Sequence, residues 1–402
     1  MTPIPRYRQQ TGPAVLSAGF RPFFLIAAVW AFFVIPVSTS FIAGVIEPPT
    51  AFPPNVWHAH EMAFGYGGAV VAGFLLTAIP NWTGRLPLQG GPLAALVILW
   101  LCGRLAVLCS NAIGAPLAAL IDLAFPVGFL GVITREIVVG RNWRNLPMVG
   151  ALALLFLGNA LTHFDALGLA SAADVGNRLG VATLLMLISL IGGRIVPSFT
   201  RNWLVKQDPE APTPAPFDLV DRFALAATGV ALLAWAVAPQ NPPTPWLALV
   251  AGGALLARLA RWRVENTLAE PLLWALHLGY GWLSFGLLLL GINGLAPFLP
   301  PTSALHALTV GAIGTMTLAV MTRASLGHTG RALVAGPRTT AIYVMITLAA
   351  LLRLLAPLLG AQYVVGLSLA ALAWCGAFGG FVLFYFDPLT RPRLGAEGTP
   401  PI

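Results

Sequence analysis

Apolar runs of about twenty residues recur along the whole chain, and that recurrence limits its fold more than any other feature. A backbone crossing hydrocarbon must satisfy its own N–H and C=O groups, so each run is expected to be a helix. Between Pro, Gly and Arg punctuation the runs fall at 18–43, 58–80, 92–110, 115–138, 147–167, 179–200, 219–238, 246–262, 271–293, 303–323, 339–359 and 363–386. Of the 402 residues 57% are hydrophobic and only 9% charged, against roughly 25% charged in soluble domains. That is too little polar surface to cover a water-soluble body of this size. The expected fold is all-α, a polytopic membrane protein of about twelve transmembrane helices forming one transmembrane domain over 1–402.

The formal net charge of +8 is not a nucleic-acid footprint. Arg6 and Arg8 precede the first run, Arg85 follows the second, and Arg141 and Arg144 follow the fourth. Arg201 and Lys206 follow the sixth, Arg261 and Arg263 the eighth, Arg331 and Arg338 the tenth, and Arg391 and Arg393 the last. The alternate loops 44–56, 239–245 and 294–302 contain no Lys or Arg. By the positive-inside rule both termini are expected in the cytoplasm, with an even number of spans. The first run has no small-residue cleavage site with a soluble domain behind it, so no separable signal peptide is expected. Three scattered cysteines imply no disulfide framework. The stretch 201–217 reads as a linker, so function is expected within the bilayer or at its surface.

Three segments align without gaps: His60–Gly84, Asn177–Arg201 and His306–Gly330, each four runs from the next. They suggest three four-helix units in a pseudo-threefold arrangement, with approximate bounds 1–140, 141–260 and 261–402. In that register His60 and His306 are equivalent, with Asn177 in the middle unit, and Arg194 is equivalent to Arg323.

Six histidines occur: His58, His60, His163, His277, His306 and His328. Ionisable residues inside membrane spans are costly and usually functional. His58 and His60 lie in Trp57-His58-Ala59-His60-Glu61-Met62 and diverge by about 200° on a helix, so different roles are expected, one inward and one toward a neighbour. Glu61 could orient a ligand histidine. His306 opens the tenth run at the depth of His60, which makes a bis-histidine haem site plausible; interfacial histidines facing water are the bland alternative. His277 sits mid-span as a ligand or an interhelical tie. His328 reads as a loop or gate residue at the other membrane face, and His163 as interfacial. Arg21, Arg194 and Arg323 are candidates for haem propionates, alongside Arg104 and Arg353, which like them need partners or a route to the interface. Asp122 is a candidate partner for one arginine, or part of a proton path.

With these segments in view, the chain resembles the NnrS family of bacterial inner-membrane proteins over essentially its whole length. The resemblance is carried by Gly19-Phe20-Arg21-Pro22-Phe23-Phe24, by Trp57–Met62, by Gly73–Gly84, and by His306–Met316 with Met321–Gly330. It implies a protein containing haem, b-type by expectation, and copper, tied to nitric oxide metabolism and nitrosative stress resistance alongside denitrification. The family's histidine motifs match at His58, His60, His306 and His328. Haem-copper oxidases also arrange twelve helices in three arcs, with haem held by histidines of the second and tenth spans. Their copper site draws on the sixth and seventh spans, where this chain has no histidine. Copper ligands would then come from His58, His277 and His328, with Met62, Met316 and Met321 as soft alternatives.

The leading expectation is a protein that binds or converts nitric oxide at a haem near the periplasmic side, supplied by an electron donor. An oxidoreductase acting on nitric oxide is its enzymatic form. The rival expectations are a membrane transporter, whose features the repeats and midplane charges share, and an assembly factor for denitrification enzymes.

Overall fold

The computed structural model describes residues 12–394, all of whose regular structure is helical. Arg6 and Arg8, on which the placement of the N-terminus leans, lie outside the described residues. The helices are α1 (Phe20–Ile42), α2 (Pro54–Thr83), α3 (Gly91–Leu108), α4 (Ala115–Val139), α5 (Leu146–Ala166) and α6 (Ala173–Gln207). After them come α7 (Leu219–Val237), α8 (Pro243–Ala260), α9 (Pro271–Leu295), α10 (Pro301–His328), α11 (Pro337–Leu355) and α12 (Tyr363–Thr390). Eleven continuous helical stretches among the described residues are long and apolar enough to cross a bilayer. The last, Pro337–Thr390, is broken at Gly360, whose φ of +52° falls in the left-handed region. It therefore supplies both α11 and α12, in agreement with the expected dozen.

Helix starts follow local chemistry. Pro54, Pro92, Pro116, Pro271, Pro301 and Pro337 each occupy one of the first two helical positions. A missing N–H costs nothing there, and the fixed φ suits a helix. The chief departure from the hydropathy reading is α6, which begins earlier than residue 179 and continues past 200 to Gln207. Hydropathy marks where the lipid ends, whereas the hydrogen-bond ladder runs on until Pro209 and the linker interrupt it.

α2, α6 and α10 each contain a π-helical segment, at Glu61–Gly67, Ile188–Gly192 and Ala307–Gly314. The first and third begin one residue after His60 and His306. Such segments concentrate at functional sites because they re-aim side chains.

The chain divides into two compact units. The first comprises Met1–Gly180, Ala324–Ala332 and Val382–Ile402. In it Val34, Phe41, Phe52, Trp57 and Val107 pack as a buried apolar cluster. The second comprises Val181–Arg323 and Leu333–Phe381. Its interior is tied by Arg258, which donates to Asp221 Oδ1 at 2.6 Å, Tyr280 Oη at 2.8 Å and the Ser189 carbonyl at 2.9 Å. The Ser189 contact lets the guanidinium satisfy a carbonyl of the π segment of α6.

Candidate functional site

The segment around His60 carries the chemistry of the first unit. A π turn holds more residues than an α turn, so consecutive side chains diverge less. His60 and Glu61, neighbours in sequence, accordingly both turn inward and are fully buried. His58 takes another direction, with its Nδ1 3.0 Å from Ser38 Oγ on α1. The two histidines thus diverge as their spacing requires.

Five helices converge on His60. Its Nδ1 lies 3.0 Å from Glu61 Oε1, and its Nε2 lies 2.8 Å from Asn159 Oδ1 and 3.5 Å from Asp122 Oδ2. His163 Nε2 is 2.9 Å from the same Asp122 oxygen. Asn159 Nδ2 donates to it at 3.0 Å, which fixes the amide with its oxygen toward His60. Arg104 donates from Nη1 to Glu61 Oε1 at 2.7 Å and from Nη2 to Asp122 Oδ1. Trp30 Nε1 donates to Glu61 Oε2 at 2.9 Å. Arg104 and Asp122 reach each other because position 103 is glycine: a Cβ there would stand 2.6 Å from Asp122 Oδ1 and 3.1 Å from its Cα.

The charges do not cancel by themselves. Glu61 and Asp122 carry two negative charges against one on Arg104, in an interior where an uncompensated charge costs several kcal/mol. Both nitrogens of His60 face acceptors, Glu61 Oε1 on one side and the Asn159 and Asp122 oxygens on the other. A second positive charge at the His60 ring, either a second ring proton or a metal ion at Nε2, would balance the two carboxylates. Among the described residues, His60, Asp122 and His163 are the one group of three or more such side chains close enough to share an ion, with ligand atoms within 4.8 Å of one another. Aromatic rings wall the group: Phe52 lies 5.2 Å from the His60 ring and 5.4 Å from that of His163, and Phe64 lies 5.2 Å from His60. A cavity of about 30 Å³ adjoins it, with Arg104 and Asn159 among mostly apolar walls. That is room for a water-sized guest. Arg104 Nε is buried and makes no hydrogen bond.

The other residues singled out from the sequence lie elsewhere. His306 is half-buried in the second unit, its Nδ1 2.6 Å from the Thr302 carbonyl one turn back. His277, buried in α9, is held the same way, Nδ1 to Leu273 O at 3.1 Å, with Nε2 3.4 Å from Thr200 Oγ1 and from the Trp262 carbonyl. His328 ends α10 with its ring 5.5 Å from that of Phe20. Arg21 Nη1 donates to the carbonyls of Pro388, Leu389 and Arg391 at 3.2, 3.0 and 2.7 Å, capping the end of α12. Arg323 stacks 4.2 Å above Phe199, and Arg194 is exposed.

Asp122 proves to be the partner of an arginine, Arg104, and Glu61 does accept from a histidine. His163 corrects the interfacial reading: it is 1% exposed, drawn inside by the Asp122 carboxylate. Asn159 and Trp30 were not foreseen. Asn159 sits one helical turn before His163, and two polar residues four apart on an apolar helix mark one inward face.

A family model described as NnrS protein matches residues 14–393 of the chain. No curated protein sequence matches it.

Proposed function

The chain belongs to the NnrS family, and from that premise we propose that it is a haem-bearing protein of bacterial nitric oxide metabolism. It sits in the inner membrane with both termini cytoplasmic, and it contributes to resistance to nitrosative stress. The observation that carries the haem assignment is at His306. Donation from its Nδ1–H to the Thr302 carbonyl selects the Nδ1–H tautomer, the form in which a histidine ligates iron through Nε2. His60 has side-chain oxygens on both nitrogens inside its cluster and is suited to holding a proton or another cation; the axial role is assigned to His306 for its carbonyl-fixed tautomer. A b-type haem there would supply an iron that binds nitric oxide and exchanges electrons.

The chain's own residues do the rest. Arg21 is committed to three carbonyls, and Arg323, far along α10 from His306 at roughly 1.5 Å of rise per residue, lies nearer the opposite end of that helix and stacks on Phe199. The lipid-facing apolar helices admit nitric oxide, which is small and uncharged, directly from the bilayer. The charge pattern of the loops supports a periplasmic location for the start of α10, and His306 with it, where an electron-donor protein would approach. Glu61 accepts from His60 Nδ1, and the Asn159 and Asp122 oxygens face Nε2 on the other side of the ring.

Visible spectra of the detergent-purified full chain test this reading: oxidised, reduced with dithionite, and reduced in the presence of nitric oxide. The expected result is a Soret band that shifts with nitric oxide and is lost in His306→Ala. A colourless protein from haem-replete cells would favour a transporter or an assembly factor. Full haem content in His306→Ala would overturn the ligand assignment.

A further inference from the structure

We propose that His60 Nε2, Asp122 Oδ2 and His163 Nε2 form a binding site for a first-row divalent transition-metal ion, with Asn159 Oδ1 as a fourth donor. The site is separate from the haem assignment and stands or falls without it.

The donors already converge. Asp122 Oδ2 lies 2.9 Å from one imidazole nitrogen and 3.5 Å from the other, and the two rings stand at 82° with centroids 5.5 Å apart. Each donor is also held from behind. Glu61 accepts from His60 Nδ1, the carboxylate–histidine arrangement that orients metal ligands and fixes their tautomer. Arg104 occupies the other oxygen of Asp122, leaving Oδ2 to face the histidines. Asn159 is oriented by its own donation to Asp122, which turns its carbonyl oxygen toward His60.

That last contact calls for a positive charge at Nε2, which a metal ion can supply. With Nδ1–H given to Glu61, the lone pair of a neutral His60 would point at two oxygen lone pairs. A metal ion between them turns this repulsion into coordination and answers the negative charge left by two carboxylates and one guanidinium. A proton answers it too, so metal uptake would release a proton from His60.

Two imidazoles, one carboxylate and one amide oxygen form a borderline donor set, suited to copper(II), zinc or iron(II) and poorly matched to the all-oxygen sites of calcium and magnesium. The adjoining cavity beside Arg104 and Asn159 leaves room for a water on the ion.

Copper(II) is the probe, because it binds such nitrogen donors most tightly and is paramagnetic. The full chain, expressed in Cu2+-supplemented medium, purified in detergent and washed with EDTA, is analysed for copper per chain and by electron paramagnetic resonance with spin-echo detection of imidazole nitrogen. The expected result is near-stoichiometric copper coupled to two imidazoles. His163→Gln, which can still hydrogen-bond Asp122, should lose copper more than about tenfold, while Lys206→Gln, at the exposed end of α6, keeps it. Copper washed out of the wild-type chain, a signal without imidazole coupling, or undiminished copper in His163→Gln would each overturn the proposal. The first two outcomes decide it even if His163→Gln fails to fold.

Discussion

Arg104 donates to Glu61 at 2.7 Å, and with its other terminal nitrogen it holds Asp122, so one guanidinium joins two carboxylates in the interior of the first unit. Arg104→Leu would leave both carboxylates buried without their cation. Removing one member of a buried pair typically costs about 3–5 kcal/mol, and here two pairs are broken together. The apparent melting temperature of the detergent-purified variant should fall steeply, with low yield from membranes. A variant that melts with the wild type would show that the network contributes little to stability.

Gly103 tests the same contact from the backbone side. Its missing Cβ would meet Asp122 at 2.6 Å, and part of that contact is backbone, which cannot swing away. Gly103→Ala is expected to destabilise by about 1–3 kcal/mol, the usual range for overpacking. At Gly131, on α4, an added methyl group would meet nothing within 4 Å, so Gly131→Ala should be neutral or stabilising by up to about 1 kcal/mol. Equal melting curves for the two variants would contradict the close approach of α3 to α4.

The parts of the fold governed by lipid were legible in the sequence, because hydrocarbon imposes one rule on every span. The twelve apolar runs correspond to α1 through α12, and the errors lie at ends such as Gln207, where water takes over from lipid. The candidate site was legible only in part. His60 and Glu61 stood out as charged groups in an apolar run, and Asp122 needed a cation somewhere. That the cation is Arg104, and that His163 and Asn159 come from a fifth helix to the same point, depends on helix rotation and the close approach permitted at Gly103. Neither quantity is written in hydropathy. The sequence register made His60 and His306 equivalent, yet their hydrogen bonds differ: His60 faces side-chain oxygens on both nitrogens, whereas His306 Nδ1 faces a main-chain carbonyl.

Arg21 gives a local prediction. Its donation to the carbonyls of Pro388, Leu389 and Arg391 satisfies groups that the end of α12 would otherwise leave open. A charged hydrogen bond contributes about 1.5–3 kcal/mol. Arg21→Gln should therefore speed hydrogen exchange in peptides covering 382–394 while leaving α7 and α8 unchanged. Arg21→Lys should rescue only in part, since an ammonium cannot present the planar fork that reaches several carbonyls at once. Exchange in that segment unchanged by Arg21→Gln would show that the C-terminal turn holds without the cap.

Asp218 and Arg261, outside the membrane spans, give the pH dependence. Arg261 donates to both carboxylate oxygens of Asp218, with Nη1 2.8 Å from Oδ1. Asp218 also caps α7, accepting from the Val220 amide at 2.9 Å, while its own amide donates to Asp221. The hydrogen bonds from Arg261, followed by that from Val220, hold the Asp218 carboxyl at about 2, below its ordinary 3.8. A depressed value means that the ionised form belongs to the folded state. The stabilisation is complete above the unfolded value and is lost as pH falls from about 4 through about 2. Protection of the first turn of α7 should thus differ between wild type and Asp218→Asn at pH 6, and the difference should close toward pH 2. Hydrogen exchange of peptides beginning at Asp218, corrected for the intrinsic pH dependence of exchange, measures it. A difference that persists unchanged at the acid end would mean that Arg261 does not hold the charged form and that the cap works equally well when neutral.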